Sequence, residues 1–192
     1  MYDIIILFIG VKNVTVDTGL PVAYLTTPAP VTSKDEWIPD ASMVIVTPGT
    51  LDILYRGTLS VKGRGNSTWN YPKKPYALKL DKKSEMLGMK KHKRWCLLAN
   101  WMDRTLMRNA VAFEISRHTG LDWTPDGRFV EVILNGEHLG NYYLCEQIKV
   151  DKNRVDVAEP DPADVSGGYI FELDSNYDEV NKFRPTGRTS SW

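Results

Sequence analysis

"RFVEVILNGEHLGNYYLCEQI", from Arg128 to Ile148, sets two alternating apolar runs on either side of Asn135-Gly136. An Asn-Gly pair accepts the positive φ values of a two-residue hairpin turn more readily than other dipeptides do, so the two runs are expected as antiparallel neighbours. Upstream, "RWCLLANW" (Arg94 to Trp101) reads as a buried strand. Tyr76 to Leu80 alternates, with Tyr76, Leu78 and Leu80 on one face and Ala77 and Lys79 on the other. Val22 to Leu25, Met43 to Val46 and Tyr55 to Val61 add three strand signals, each bounded by Pro or Gly.

A single helix interrupts this β-rich order. Asp103 supplies an N-cap side chain and Gly120 a left-handed stop. Between them Leu106, Ala110 and Phe113, with Met107, Val111 and Ile115, form an apolar stripe wide enough for a mostly buried helix. Glu114 projects from that same side. After the hairpin, "KVDKNRVDVAEPDPADVSGG" is polar and proline-bearing, a connector, followed by a last strand "YIFELD" and an aperiodic end "NKFRPTGRTSSW". The expected division is 1–20 as a leader or first strand, 21–150 as the main lobe, 151–184 as connector and start of a second lobe, and 185–192 as an irregular tail.

Composition sets limits. The 192 residues are 42% apolar and 25% charged with a formal net charge of zero, which suits a globular domain with no global attraction to polyanions. The charge is unevenly spread: Lys73 to Arg94 holds nine Lys/Arg against Asp81 and Glu85, and the balance reverses from Asp151 to Arg184. The apolar run Ile4 to Ile9 is too short to span a bilayer and reads as a buried strand. Cys96 and Cys145 lie in hydrophobic stretches with no histidine at ligand spacing, as buried thiols do, and one structural disulfide between neighbouring strands would use the same two residues. His92, His118 and His138 share no spacing that supports a metal site or a nucleophile–histidine pair.

The chemistry-bearing motif is "GRGNSTW", Gly63 to Trp69. Glycines let backbone N–H groups converge on an anion, and Arg64, Ser67 and Thr68 add charge and donors. It is neither a P-loop nor a complete kinase glycine loop, and as a bare string it reads more readily as a turn between strands. Lys79, mid-strand after the loop, shifts the balance, because a strand lysine following a glycine-bearing hairpin is how protein kinases reach the α/β-phosphates. Such a lysine needs a helical carboxylate. Glu114 fits, with Glu85 and Glu146 competing for the role. The order of glycine-bearing hairpin, Lys strand, Glu helix and antiparallel hairpin is that of a kinase amino-terminal lobe.

"RGNSTW", "PKKPYALKL" (Pro72 to Leu80), "LLANWMDRTLMRN" (Leu97 to Asn109), "VEVILNGEHLGNYYLCEQIK" (Val130 to Lys149) and "GGYIFELD" (Gly167 to Asp174) together resemble the CotH family, the spore-coat-protein-H-like atypical kinases. The resemblance implies an α+β fold, a protein-kinase-like amino-terminal lobe of mostly antiparallel sheet with one packed helix and the second lobe missing. It implies binding of ATP with Mg or Mn and, in the full-length family, phosphorylation of protein substrates in a spore coat or at a bacterial cell surface or beyond it. By motif position Arg64, Ser67 and Thr68 would lie near the phosphates, Lys79 would contact them, and Glu146, Gln147 and Ile148 would form the hinge beside the adenine. The family's catalytic and metal-binding aspartates, the latter in a Trp-Asp-Phe-Asp-like stretch, lie well downstream of the last matching block. Trp192 follows Asp174 too closely for that, so no catalytic residue and no metal ligand is expected here, and little transfer by this chain alone; Asp174, Asp178 and Glu179 read as solvated.

A second reading, of another class, is a non-catalytic interaction module of a coat or cell-surface assembly. Polyanion binding through Lys73 to Arg94 ranks last, and Trp69, Trp95, Trp101 and Trp123 read as packing before they read as a nucleic-acid platform.

Overall fold

The computed structural model describes residues 17–158, 161, 163 and 166–172. Among the described residues there are seven strands: β1 (Val22–Thr26), β2 (Ile38–Val46), β3 (Ile53–Gly63), β4 (Tyr76–Met86), β5 (Met89–Leu98), β6 (Gly127–Leu134) and β7 (Glu137–Glu146). One α-helix, α1 (Arg108–Arg117), lies between β5 and β6, and a short 3₁₀ turn spans Ser67–Asn70.

The strands close into a barrel in the order β1-β2-β3-β4-β5-β7-β6. This overturns the expected kinase-like α+β lobe, which is an open antiparallel sheet with a packed helix. Closure comes from β1, which pairs antiparallel with β2 and, on its other edge, parallel with β6 in the register Val22↔Glu131 to Leu25↔Leu134. With both edges of β1 paired, the ring of strands is closed. Register shifts in β2 against β3 and in β4 against β5 supply local bending of the kind barrels use to turn corners.

The alternation read from the sequence holds at the decisive hairpin. Asn135 (φ 50°) and Gly136 (φ 85°) form its turn, and β6 and β7 pair from Gly127↔Cys145 to Leu134↔Glu137. Inward residues fill the barrel: Leu25, Met43, Ile45, Leu59, Leu78, Leu80, Trp95, Leu97, Val132, Tyr142 and Leu144 are fully or almost fully buried in one cluster. Trp95 and Tyr142, both at 0% exposure, are the largest side chains of that interior, as expected of a small barrel whose lumen is packed with side chains.

The helix differs from its sequence reading in extent and burial. Asn100 (φ 50°) and Leu106 (φ 61°) adopt left-handed backbone, which no helix can propagate, so α1 starts at Arg108 and not at Asp103. Asp103 still caps from a distance, because its carboxylate accepts from the Arg108 amide at 2.7 Å and from the Thr105 hydroxyl at 2.6 Å. No residue of α1 is fully buried. Ala110 and Phe113 rest on the outer face of the barrel over Cys96, Tyr143 and Cys145, while Met107, Val111 and Ile115 are about half exposed or more.

Two compact units are distinguished, one ending at Asp156 and the other beginning at Val157. In the second, the Gly168 amide donates to Ala158 and the rings of Tyr169 and Phe171 stack at 6.0 Å. Residues 169–172, read from the sequence as a strand, have no regular secondary structure. Ile4 to Ile9, Asp174, Asp178, Glu179 and the tail lie outside the described residues. Among the described residues no helix is long and apolar enough to cross a membrane.

Candidate functional site

The loop from β3 to β4 folds back on itself because of two glycines. Trp69 lies against Gly63 so closely that a Cβ there would sit 2.4 Å from its ring, and a Cβ on Gly65 (φ 91°) would fall 2.0 Å from the Thr68 hydroxyl. The loop is pinned at both ends, by the Arg64 amide donating to Pro75 at 3.2 Å and by Lys74 Nζ donating to the Trp69 carbonyl at 2.7 Å. The turn is therefore specific: only glycine admits this backbone with Thr68 tucked underneath.

A second wall comes from the end of β5 and the turn after it. Asn100 donates to Leu106 O at 2.9 Å and accepts from Asn109 Nδ2 at 2.7 Å, which fixes the entry of α1 beside the loop. Between the walls lies an open cavity of about 560 Å³, lined by Arg64, Thr68, Tyr71, Lys73 and Pro75 from one side, by residues 98–103 below, and by Arg108 and Asn109 at the N-terminus of α1. Its size is that of a small-molecule site.

Charge in the cavity is lopsided. Arg64, Lys73 and Arg108 face it against the single carboxylate of Asp103. Asp103 is itself committed, held low by the Thr105 hydroxyl and the Arg108 amide. Lys73 Nζ donates to Asn141 O and sits 4.4 Å over the Tyr142 ring, and burial lowers its pKa despite the opposing pull of Glu131. The Arg64 side chain makes no hydrogen bond or ion pair among the described residues, and Arg108 only grazes Asp103 at 3.6 Å with 81% of its side chain exposed. Surplus cations at a helix N-terminus next to a glycine-shaped loop are chemically suited to an anion.

The sequence-predicted residues divide between this cavity and other places. Arg64 and Thr68 line it, and Ser67 sits one residue away in the 3₁₀ turn without lining it. Lys79 is not brought to it. It is exposed on the outer face of β4, opposite Ser60 and Arg94, because strand alternation sends it away from Leu78 and Leu80. Glu114, expected as its partner on a buried face, is 62% exposed and pairs with Arg117 at 2.5 Å and His118 at 3.1 Å.

The trio 146–148 is also dispersed in role. Glu146 is buried, accepts from the Asp126 amide at 3.0 Å and pairs with Arg154 at 2.6 Å; burial is the main cause of its raised pKa. Gln147 has a buried side-chain oxygen without a hydrogen-bond partner, and Ile148 is exposed. Arg154, read as part of a solvated connector, is instead 2% exposed and lies 4.9 Å over the Trp95 ring.

Sequence reasoning missed Lys73, Arg108, Asn100 and Asn109. All four stood inside the quoted blocks "PKKPYALKL" and "LLANWMDRTLMRN", and the usable signal was their flanking position, next to the glycine loop and at the helix entry. Among the described residues no group of three His, Cys, Asp or Glu could hold a metal ion.

A family model described as CotH kinase protein matches residues 61–190. No curated protein matches the chain.

Proposed function

The chain belongs to the CotH family, and from that premise we propose that the cavity between the glycine loop and α1 binds the phosphates of ATP, as the nucleotide-holding part of a protein kinase. The observation that carries the proposal is the convergence of Arg64, Lys73 and Arg108 on one space with the N-terminus of α1 and only one, already satisfied, carboxylate. Arg64 and Arg108 would meet phosphate oxygens as charge-assisted donors, Thr68 would add a hydroxyl, and Lys73 would act from its fixed perch on Tyr142. Leu98, Ala99 and Trp101 give the same cavity an apolar side on which a purine could lie. Mg or Mn would bring charge neutralisation to the phosphates. The described residues offer it no ligand set, so the proposal runs through the cations alone. Protein substrates in a spore coat or at a cell surface belong to the same proposal, as do the family's kinase chemistry and its setting.

Titration calorimetry of ATP, with Mg²⁺ or Mn²⁺, into wild type, Arg64→Ala and Lys79→Ala tests it. Loss of a charged hydrogen bond of about 1.5–3 kcal/mol would weaken binding by roughly ten- to hundredfold in Arg64→Ala. Lys79→Ala should bind as wild type. No heat with wild type, or the reverse ranking of the two variants, would refute the assignment.

The alternative, an interaction module, draws support from the exposed apolar side chains Trp101, Met102, Met107, Val111, Ile115 and Leu121 on and around α1. It predicts partner capture that survives Arg64→Ala and no shift in melting temperature with ATP.

A further inference from the structure

Cys96 on β5 and Cys145 on β7 are direct cross-strand partners, both free and both buried beneath α1. The alternation of the ladder says which kind of pair they form. The Glu146 amide donates to Asp126 on the β6 side, so the Cys145 amide turns toward β5, and Cys96 and Cys145 are a hydrogen-bonded pair. Such pairs have Cα atoms about 5.5 Å apart, inside the roughly 4.4–6.8 Å that a disulfide spans. The neighbouring Cys145 thiol, with Arg64 and Lys149, favours a thiolate at Cys96 against the opposing effect of burial.

What covers the pair is thin. Of the α1 residues, Ala110 and Phe113 rest on this patch, and no residue of the helix is fully buried. Polar contacts also hold it, Asn109 to Asn100 at 2.7 Å, Ser116 to Thr124 at 2.8 Å and Arg117 to Asp126 at 2.9 Å, but a helix with no fully buried residue opens at lower cost than the barrel beneath it.

We propose that Cys96 and Cys145 are a redox modification site, forming a reversible disulfide that staples β5 to β7 when a low-molecular-weight disulfide reaches them under a transiently lifted α1. In the first step the Cys96 sulfur attacks one sulfur of the oxidant, forming a mixed disulfide and releasing one thiol, which takes up the Cys96 proton. In the second the Cys145 sulfur attacks the Cys96 sulfur, forming the Cys96–Cys145 bond and releasing the second thiol with the Cys145 proton. Two protein thiols are oxidised and one disulfide is reduced to two thiols, so atoms and electrons balance. This inference is independent of whether the cavity holds a nucleotide.

The test is to incubate the folded protein with oxidised glutathione under native conditions and follow intact mass and protease-derived peptides. The expected product has lost the mass of two hydrogens, yields a Cys96–Cys145 cross-linked peptide, and returns to the starting mass with dithiothreitol. Phe113→Ala, which strips the main apolar contact of α1, should form the same product several-fold faster. Retention of both thiols, accumulation of glutathione adducts without the cross-link, or cross-linking only after denaturant has unfolded the chain would each overturn the proposal. An unchanged rate in Phe113→Ala would overturn the role given to the helix. Cys96→Ser and Cys145→Ser, each carrying one thiol, should stop at the mixed disulfide or remain unmodified, and a loss of two hydrogens in either would overturn the assignment of that product to a Cys96–Cys145 disulfide.

Discussion

Two regions of this molecule are built around charged side chains, and they treat charge in opposite ways. At the cavity, Arg64 has no side-chain partner among the described residues, Lys73 is held by a carbonyl and a ring, and Arg108 is almost wholly exposed. By the end of β7, Glu146, Arg154, His92, Asp151 and Lys83 are knitted together, with the Arg154–Glu146 pair at 2.6 Å and the Lys83–Asp151 pair at 2.6 Å. The first region leaves positive charge unspent and facing a space. The second neutralises it within the fold. The paired charges serve the fold, and under the proposed function the unpaired ones at the cavity are those that would meet phosphate.

The strongest way to break the comparison is Arg154→Ala. Arg154 is fully shielded at its side chain, and two of its guanidinium nitrogens, Nε and Nη2, have no hydrogen-bond partner among the described residues, so burial works against its charge and against that of Glu146 alike. Removing one member strands the other, at a cost of about 3–5 kcal/mol. Urea denaturation should show that loss, and Glu146→Leu combined with Arg154→Met should recover much of it, since an apolar pair removes both desolvation penalties. A loss below about 1 kcal/mol in the single variant would mean that Arg154 is as loosely held as Arg64, and the distinction would collapse.

Gly65→Ala sharpens the other side. The residue sits at φ 91° and an added Cβ would fall 2.0 Å from Thr68 Oγ1, so the loop must either strain or swing Thr68 away. Holding a non-glycine residue in such a conformation costs on the order of 1–3 kcal/mol. Because the strain is local to the loop, ATP affinity measured by calorimetry should fall in step with it, with the barrel still folded. Unaltered affinity together with a lowered melting temperature would make Gly65 a folding residue only.

The same contrast explains what could be read in the sequence. Alternation and the Asn135-Gly136 turn disclosed most of the strands, since each depends on neighbours a few residues apart. The barrel was not legible, because its closure rests on β1 pairing with β6, more than a hundred residues away, and no local pattern distinguishes a strand with one partner from a strand with two. Arg64 and Thr68, which line the cavity, stand out in the sequence through glycine chemistry, which is local. The kinase pattern of a strand lysine points to Lys79, but Leu78 and Leu80 face the core, and period-two alternation turns Lys79 away from it. Arg154 was hidden by its surroundings, an acidic connector whose one buried cation gives no signal until Glu146 and Trp95 are placed beside it.

The smallest expected effect concerns His92, the imidazole of the paired region. Its Nδ1 accepts from the Arg94 amide at 2.9 Å, and Nε2 lies 3.9 Å from Asp151. Burial, with the nearby Arg154 and Lys83 charges, disfavours the second proton more than Asp151 favours it, and the Arg94 amide already occupies the Nδ1 lone pair, so the pKa is lowered. The folded protein then binds that proton less tightly than the unfolded chain does. As pH falls through the unfolded value of about 6.5, the unfolded state gains a proton that the folded state resists, and stability declines until the folded pKa is reached. Glu146, raised by burial, works in the opposite sense, and Asp151, held low by Lys83, acts only at more acidic pH. His92→Asn can keep an acceptor for the Arg94 amide while removing the titration, so denaturation curves of wild type and variant between about pH 5.5 and 7.5 isolate the histidine. The wild type should lose stability faster toward acid than the variant. Parallel curves would place His92 with the solvated charges around the cavity and not with the neutralised set.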